Sequence, residues 1–147
     1  MNKKLCALGL AVSLIFGNTM SVQAKDPVGI ESVTDYDIRL IAVVTMAEAE
    51  GESEEGKRLV IDTILNRVDS EHFPNTIEGV IYQRGQFSCM WDGRINQCYV
   101  QDDICRLVRE ELEDRMEYEC IYFRTKRYSS SGTPMYKVGH HYFSSYD

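Results

Sequence analysis

The densest group of side chains that could support acid–base chemistry is a run of glutamates. It contains Glu48, Glu50, Glu52, Glu54 and Glu55. Glu48 stands apart because it directly follows a largely apolar stretch, residues 38–47, with helical spacing. A carboxyl against apolar walls loses solvation of its charged form, which favours the protonated acid that glycosidic bond cleavage requires. The sequence indicates Glu48 as a candidate general acid. The alternative is a solvated acidic junction between two helices.

Helix signals place Glu48 at the end of a buried helix. The segment Thr34–Asp37 has the Thr-x-x-Asp form of a helix start, and Gly51 suits a helix end. The helix between them is apolar nearly all round, which predicts burial. Ser53 can cap a second helix. If the first helix instead continued past Gly51, Glu52 would share a face with Glu48.

The rest of the chain predicts two further helices and a small hairpin. A short helical segment is expected over residues 76–82 and a charged helix over residues 102–118. Residues 120–123 and 137–143 have the composition of strands and are separated by a Ser-rich loop. A mostly helical body with a small C-terminal β-hairpin is an α+β domain.

Side chains suited to sugar binding lie in and beside an irregular segment, residues 83–97. They combine amide, hydroxyl and aromatic groups that match the hydroxyls and the flat apolar face of a sugar, namely Tyr82, Gln83, Gln86 and Phe87. The alternative is loop packing around Cys89, with Phe87 in the core. His141 is a further candidate, which either reaches a cleft from the last strand or packs, hydrogen-bonded, inside the fold.

The N-terminal residues have the pattern of a secretory signal peptide. Lys3 and Lys4 give a positive start, residues 5–16 are apolar, and Val22-Gln23-Ala24 is a small-x-small cleavage site. The apolar stretch is too short to span a membrane comfortably. We therefore predict a signal peptide over residues 1–24 and a protein that is secreted, extracellular or associated with the cell wall. An uncleaved membrane anchor is the alternative.

Charge and size limit the partners of the chain. It has 147 residues, enough for one domain, and a net charge of −7. Removal of residues 1–24 takes away two lysines and no acid, so the charge becomes −9. Such an acidic chain is a poor partner for nucleic acid, whereas neutral or weakly charged sugar polymers stay compatible. We expect a lead-in over residues 25–37 and one domain over residues 38–147.

Four cysteines remain after the predicted cleavage, namely Cys89, Cys98, Cys105 and Cys120. An even number in a small secreted domain favours disulfides. Several pairings are open, and we prefer Cys89–Cys98 and Cys105–Cys120 because they close short loops. Free thiols and a zinc site are the alternatives, but no CxxC spacing supports zinc. We expect no metal and no cofactor.

A series of short motifs resembles a known family. In order, the pieces are Ala47–Glu52, Glu55-Gly56, Ile64–Val68, Phe73–Ile77, Gly79–Gln83, Gln86–Ser88, Asp92-Gly93 and Val138–Phe143. Together they resemble the cell-wall hydrolase family of spore cortex-lytic enzymes, the SleB and CwlJ type, over nearly the whole chain after the signal peptide. Each piece alone is unspecific, and the order of the pieces carries the resemblance.

The resemblance implies a domain like lysozyme or a lytic transglycosylase, which cuts peptidoglycan glycan strands between N-acetylmuramic acid and N-acetylglucosamine. The family's catalytic glutamate falls on Glu48. This chain has Glu50 where the family motif has Arg, and His140 where the family usually has Asn. The role of His140 therefore stays open. Some relatives act on spore cortex during germination, and others remodel the cell wall.

The number of carboxyls near Glu48 decides which mechanism we expect. Ordinary glycosidases use two. A lytic transglycosylase needs one, which protonates the leaving oxygen and then accepts the proton of the muramic 6-hydroxyl. If Glu48 acts alone, we favour the lytic route. If Glu52 or Asp92 reaches the opposite face of the sugar, muramidase-type hydrolysis is expected.

Two other functions compete with glycan cleavage. A non-catalytic peptidoglycan-binding module would keep the aromatic and amide groups but would not need Glu48. An amidase or peptidase acting on the stem peptides would need a zinc site or a nucleophile such as Cys89 with His141. The sequence does not indicate an oligomeric state.

Overall fold

Four helices and a three-stranded sheet make up residues 26–146, the part of the chain that the structure, a computed structural model, describes. The elements are α1 (Asp35–Ala49), α2 (Glu54–Asp69), α3 (Ile77–Ile81), α4 (Asp102–Glu113), β1 (Cys120–Arg124), β2 (Pro134–Val138) and β3 (His141–Ser145). No helix among these residues is both long and apolar enough to cross a membrane. The predicted signal peptide lies outside the described residues and stays a prediction.

Helix α1 is the central element of the helical body. It begins with the predicted capping box, in which Thr34 Oγ1 accepts a hydrogen bond from the Asp37 N–H at 3.2 Å and Asp37 Oδ2 accepts one from the Thr34 N–H at 2.9 Å. Helices α2, α3 and α4 all pack against it. This explains why α1 is apolar on nearly every side, because little of its surface is left for solvent.

The junction between α1 and α2 is short and sharp. Helix α1 ends at Ala49, and Ser53 caps α2 by accepting a hydrogen bond from the Gly56 N–H at 3.2 Å. The predicted helix end near Gly51 is thus confirmed. Glu52 consequently lies in the connecting turn and does not continue the helical face of Glu48.

Helix α4 ends at Glu113, earlier than the expected end near residue 118. Two buried carboxyls hold the following backbone out of the helix: Glu111 Oε2 accepts the Met116 N–H at 2.7 Å, and Asp62 Oδ2 accepts the Glu117 N–H at 2.9 Å. Burial, followed by the neighbouring Glu111, raises the pKa of Asp62. The close burial of two acids thus favours the protonated form of Asp62, which lessens the repulsion between them.

The C-terminal sheet has three antiparallel strands in the order β1-β3-β2. The α+β class is confirmed, but the expected strand over residues 137–143 is interrupted by a turn at Gly139-His140, and Pro134, expected in a loop, begins β2. Gly139 has a φ of +54°, a left-handed conformation that glycine adopts without a side-chain clash. The hairpin is therefore β2–β3, and β1 pairs with the other edge of β3.

Two apolar clusters join the sheet to the helices. The larger one consists of buried apolar side chains that come mostly from α1, α2, α3 and α4. The smaller one lies between the helices and the sheet and consists of Ala49, Leu59, Val60, Cys120 and Phe143. Phe123 of β1 packs against both clusters. Since Ala49 belongs to the smaller cluster, the sheet sits against the C-terminal end of α1, where Glu48 is located.

A polar contact fixes the hairpin turn to the junction between α1 and α2. Glu52 Oε2 accepts a hydrogen bond from the His140 N–H at 3.1 Å, and Glu52 Oε1 lies 2.8 Å from His140 Nδ1. A Cβ atom at Gly139 would come within 1.7 Å of Glu52 Oε2. Only glycine therefore fits between the turn and this carboxylate.

The predicted disulfides are absent, because Cys89, Cys98, Cys105 and Cys120 are all free thiols. Cys105 lies in the helical cluster, whereas Cys120 belongs to the smaller cluster under the sheet. The Cys120 Sγ lies 3.4 Å from Thr63 Oγ1 instead. The expected pairing relied on closeness in sequence, which does not bring the sulfur atoms together here.

We expect Gly139→Ala to lower the free energy of unfolding by about 3 kcal/mol, because it adds a clash with Glu52 to the strain of a left-handed alanine. The matched control is Gly93→Ala, since Gly93 has a φ of +88° but open space around its Cβ direction. In the control, the free energy of unfolding should fall by about 1 kcal/mol. Urea denaturation of both variants measures the difference. Equal losses would show that the contact with Glu52 does not constrain the turn.

Candidate active site

A cavity of about 520 Å³ opens beside Glu48, between the helical body and the sheet. Its walls are the C-terminal end of α1, Arg67 of α2, the loop residues Gly85, Gln86 and Ser88, and residues 123–127 at and after the end of β1. Glu48 is half-buried. Its Oε1 atom is buried and has no hydrogen-bond partner among the described residues. Because Glu48 itself lines the cavity, a molecule that enters can contact this side chain.

Among residues 26–146, Glu48 is the only acidic one that lines this cavity. The two acids considered as its partners lie elsewhere. Glu52 is engaged by the hairpin turn, and Asp92 Oδ1 accepts a hydrogen bond from the Arg94 N–H at 2.9 Å. The arrangement thus places a single carboxyl at the centre of the cleft.

Arg67 forms the floor of the cavity and is 4% exposed. Its Nε–H donates a hydrogen bond to the Ile121 carbonyl at 2.8 Å, and its guanidinium lies 5.2 Å from the ring centre of Phe73 and 5.1 Å from that of Phe87. Burial lowers the pKa of Arg67 to about 10, and the negative charge of Glu48 is among the groups that oppose this shift. Arg67 therefore stays charged at neutral pH and stabilises a carboxylate at Glu48.

Cys89 lies beside Glu48 on the core side of the site and is 2% exposed. Burial, followed by a hydrogen bond to Glu48, raises the pKa of the Cys89 thiol. The thiol stays protonated and can donate its S–H to the carboxyl. The disulfide predicted for Cys89 gave no indication of this contact with Glu48.

His141 is buried close to two glutamates, Glu48 and Glu52. Its ring contacts Phe123 at 5.0 Å and Phe143 at 6.0 Å between ring centres, and its Nδ1 has no hydrogen-bond partner among residues 26–146. Burial lowers the pKa of His141, while Glu52 and then Glu48 act in the opposite direction. His141 does not line the cavity, so its position is that of a packed core histidine behind the site.

The other candidates divide into residues at the site and residues away from it. Gln86 is exposed and lines the cavity, whereas Phe87 is fully buried beneath Arg67. Gln83 is half-buried, with an Oε1 that lacks a partner in the described chain. Tyr82 interacts with Tyr36 near the start of α1. That end of α1 is about 18 Å from Glu48, at 1.5 Å per residue.

A second depression continues the cleft past Gly85 and Ser88, which line both. It has a volume of about 660 Å³ and contains Arg84, Trp91 and Asp92. The Trp91 side chain is 60% exposed, as expected for an aromatic ring that can stack on a sugar. Asp92 thus lies along the extended cleft but outside the cavity that contains Glu48.

The largest cavity, about 1020 Å³, lies elsewhere, between the lead-in residues 26–33 and the helical body. Its lining includes none of the predicted site residues. The Glu48 cavity is the better candidate because it combines an unpartnered acid, a buried cation and exposed amide and hydroxyl groups.

The comparisons with known proteins identify the family of this chain. The sequence profile of the cell wall hydrolase family matches residues 51–144, so the chain belongs to that family. The matched range begins just after Glu48 and includes Arg67, the loop of Gln86 and nearly the whole sheet. Membership of the family was predicted from the ordered motifs and is confirmed.

Relatives in sequence and structure are spore cortex-lytic proteins of bacilli. The chain is 33% identical over 120 residues to the spore cortex-lytic enzyme of Bacillus subtilis strain 168, covering 75% of this chain and 38% of that enzyme. It resembles the crystal structure of the catalytic domain of the Bacillus cereus SleB protein, with a TM-score of 0.65 and 29% identity over 76% of this chain and 91% of that domain.

A second solved structure is the catalytic domain of the germination-specific lytic transglycosylase SleB from Bacillus anthracis. It has a TM-score of 0.63 and 28% identity, and the match covers 76% of this chain and 96% of that domain. The chain therefore corresponds to nearly the whole catalytic domain of these proteins, but to well under half of the Bacillus subtilis enzyme.

We expect Arg67→Lys to lower the free energy of unfolding by about 2–4 kcal/mol, although the charge is kept. A lysine cannot reproduce the planar contact with Phe73 and Phe87 or the fixed hydrogen bond to Ile121. Thermal and urea denaturation measure the loss. Arg39→Lys is the control, because Arg39 is exposed, and it should change stability by less than about 0.5 kcal/mol. A similar small change at Arg67 would contradict the packing role.

The contact between Glu52 and His140 predicts a pH dependence of stability. Burial alone favours the protonated acid, but the hydrogen bonds from the His140 side chain and backbone outweigh it and lower the pKa of Glu52 below its ordinary 4.5. The charged form therefore contributes stability above pH 4.5, and this contribution is lost as the pH falls through the lowered folded value.

The test of this dependence is the difference in Tm between wild type and Glu52→Gln. This difference in Tm should have its largest value at pH 7 and should decrease steadily below pH 4.5. Glu119→Gln, which changes an exposed acid, should show no such trend. A difference for Glu52→Gln that is constant with pH would contradict the assignment of the charge.

Proposed function

We propose that this protein cleaves the glycan strands of peptidoglycan between N-acetylmuramic acid and N-acetylglucosamine, with Glu48 as its catalytic acid. Membership of the cell wall hydrolase family and the likeness to SleB catalytic domains support this substrate. The observation that carries the proposal is the carboxyl of Glu48, the one acid among the described residues that lines the cavity, in a cleft that continues past Trp91. An elongated cleft with exposed aromatic and amide groups suits a polymer of sugars.

We further propose the lytic transglycosylase route, because the cavity contains a single acid. Glu48 donates its proton to the glycosidic oxygen as the bond from that oxygen to the muramic C1 breaks. The muramic 6-hydroxyl then attacks C1, and its proton passes to the Glu48 carboxylate. The products are a free 4-hydroxyl on the glucosamine side and a 1,6-anhydromuramic end. No water is consumed, and Glu48 ends the cycle protonated.

Arg67 and Cys89 contribute to both proton transfers. When Glu48 gives up its proton, the Arg67 guanidinium stabilises the carboxylate that forms, and the protonated Cys89 thiol can donate a hydrogen bond to it. Since both partners are buried and fixed by packing, they do not need to reorganise during the reaction. The same carboxylate is then positioned as the base for the 6-hydroxyl.

The competing functions have less support. A peptidase with Cys89 as nucleophile would need a thiolate, but burial raises the pKa of this thiol. A passive binding module would not need an acid at the centre of the cleft. Muramidase-type hydrolysis is the closest alternative, and it would require Asp92 to move from its contact with the Arg94 N–H into the Glu48 cavity.

We also propose that the protein acts outside the cytoplasm, on the wall or on spore cortex. The signal-peptide pattern of residues 1–24 supports export. The names of the relatives point to cortex, and both substrates should be tested.

We expect Glu48→Gln to reduce the release of soluble fragments from purified peptidoglycan by at least about 100-fold, because glutamine cannot donate the proton. The control is Glu50→Gln at the same end of α1, since Glu50 is exposed and paired with Arg94 outside the cavity. The control should keep most of the wild-type activity.

Mass spectrometry of the fragments decides the mechanism. Anhydromuramic ends that disappear with Glu48→Gln support the lytic route, and reducing muramic ends replace it with hydrolysis. Intact glycan after incubation of wall peptidoglycan and of spore cortex with wild type would refute the enzymatic proposal.

A further inference from the structure

One wall of the Glu48 cavity is strongly basic. Arg124, Thr125, Lys126 and Arg127 are consecutive, exposed and line the cavity together. We call residues 124–127 the basic wall. The chain as a whole has 23 acidic and 16 basic residues, so three cations in four positions run against its general charge. Their location at the proposed reaction centre therefore calls for an explanation.

The cations of the basic wall lack partners, in contrast to those elsewhere in the described chain. Five arginines outside the cavity reach a carboxylate, namely Arg58, Arg94, Arg106, Arg109 and Arg115. Arg124, Lys126 and Arg127 have no ion pair, hydrogen bond or ring contact from their side chains among residues 26–146. Arg84 in the adjoining depression has none either. Away from the cleft, Arg39 is the one other Lys or Arg among residues 26–146 whose side chain makes no ion pair, hydrogen bond or ring contact.

Unpaired cations grouped in a cleft repel one another, and an anion that binds there relieves this repulsion. In such an acidic chain, carboxylates to neutralise them are abundant, yet none lines the cavity except Glu48. The arrangement favours a ligand that carries negative charge close to the bond being cleaved.

The basic wall begins at the end of a paired strand. Arg124 is the last residue of β1 and pairs with Tyr142 of β3, whereas residues 125–127 follow the strand. Ile121, in the same strand as Arg124, accepts the hydrogen bond from Arg67 on the cavity floor. The strand therefore brings the start of the basic wall to the cavity that Glu48 lines, and the long cationic side chains can adapt to a ligand.

We propose that the basic wall binds carboxylates carried by the lactyl branch of the muramic residue, and so selects glycan strands that bear this negative charge. The inference rests on the proposed function. If Glu48 acts at the muramic C1, the branch on C3 of the same ring projects beside the reacting bond. The carboxylate is either that of the lactyl group itself or one of the peptide attached to it, and both present the same chemistry to Arg and Lys.

The test measures binding in a way that does not depend on cleavage. The mature chain with Glu48→Gln is mixed with insoluble peptidoglycan that has been freed of phosphate polymers, and the bound fraction is determined by co-sedimentation. Lys126→Gln combined with Arg127→Gln, in the same background, should raise Kd about tenfold at low salt, and the effect should shrink at high salt. Arg39→Gln is the control that removes one unpaired cation away from the cleft, and it should leave Kd unchanged.

Three preparations of the same glycan identify the ligand. On peptidoglycan with its carboxylates converted to methylamides, the doubly substituted chain should bind as well as the chain with an intact basic wall. On glycan freed of peptides, a persisting tenfold difference assigns the lactyl carboxylate. A difference confined to peptide-bearing glycan assigns the peptide carboxylates.

Three results would overturn the inference. The first is an equal Kd for both chains on all preparations. The second is a loss of affinity that persists on the methylamide form, which would give the basic wall a structural role. The third is a loss of affinity that appears only when phosphate polymers are left on the wall, which would favour phosphate binding. Failure of the proposed function would appear separately, as absence of cleavage by the wild type.

Discussion

The structure around the cleft depends on the burial of one cation, the Arg67 guanidinium. A charge so far from solvent is tolerated only when hydrogen bonds and opposite charges compensate for lost hydration. Here a strand carbonyl, two aromatic rings and the Glu48 carboxyl share that task. These groups come from β1, from the loops after α2 and α3 and from α1, so their contacts with Arg67 bring four separate parts of the chain together. The buried Nη1 of Arg67 has no hydrogen-bond partner among the described residues.

The same arrangement explains why a single acid is left at the centre of the cavity. Glu48 is placed by α1, the most enclosed helix, and faces Arg67 across the floor. Glu52, only four positions later, is directed away because the helix ends at Ala49 and the hairpin turn engages its carboxylate. Two acids that are neighbours in sequence therefore lie in different settings: Glu48 lines the cavity, and Glu52 holds the hairpin turn.

The chain has a net negative charge, but the basic wall places a group of positive charges at the cleft. An acidic surface discourages non-specific association with other polyanions, while the basic wall offers a local site for a polymer whose negative groups occur at regular intervals. Trp91 and Gln86 extend the same cleft with groups that suit the uncharged parts of a sugar. In the proposed reaction, binding of the strand and protonation of its bond would thus use different sets of side chains.

The sequence by itself determined the local features. The capping box at Thr34, the helix end near Gly51 and the cap at Ser53 follow from short-range patterns, because capping and periodicity involve residues within one or two turns of each other. The α+β class follows from the order of the predicted elements, and the family was predicted from the resemblance of its ordered motifs. Glu48 as the candidate acid also follows from its place after an apolar helix.

Only the tertiary structure decided which distant residues meet. It replaced the expected disulfides with free thiols, put Cys89 beside Glu48, buried Phe87 under Arg67 and brought the basic wall to the cleft. These outcomes depend on how the sheet packs against the helices, which buries side chains separated by many residues, and no local pattern specifies such packing.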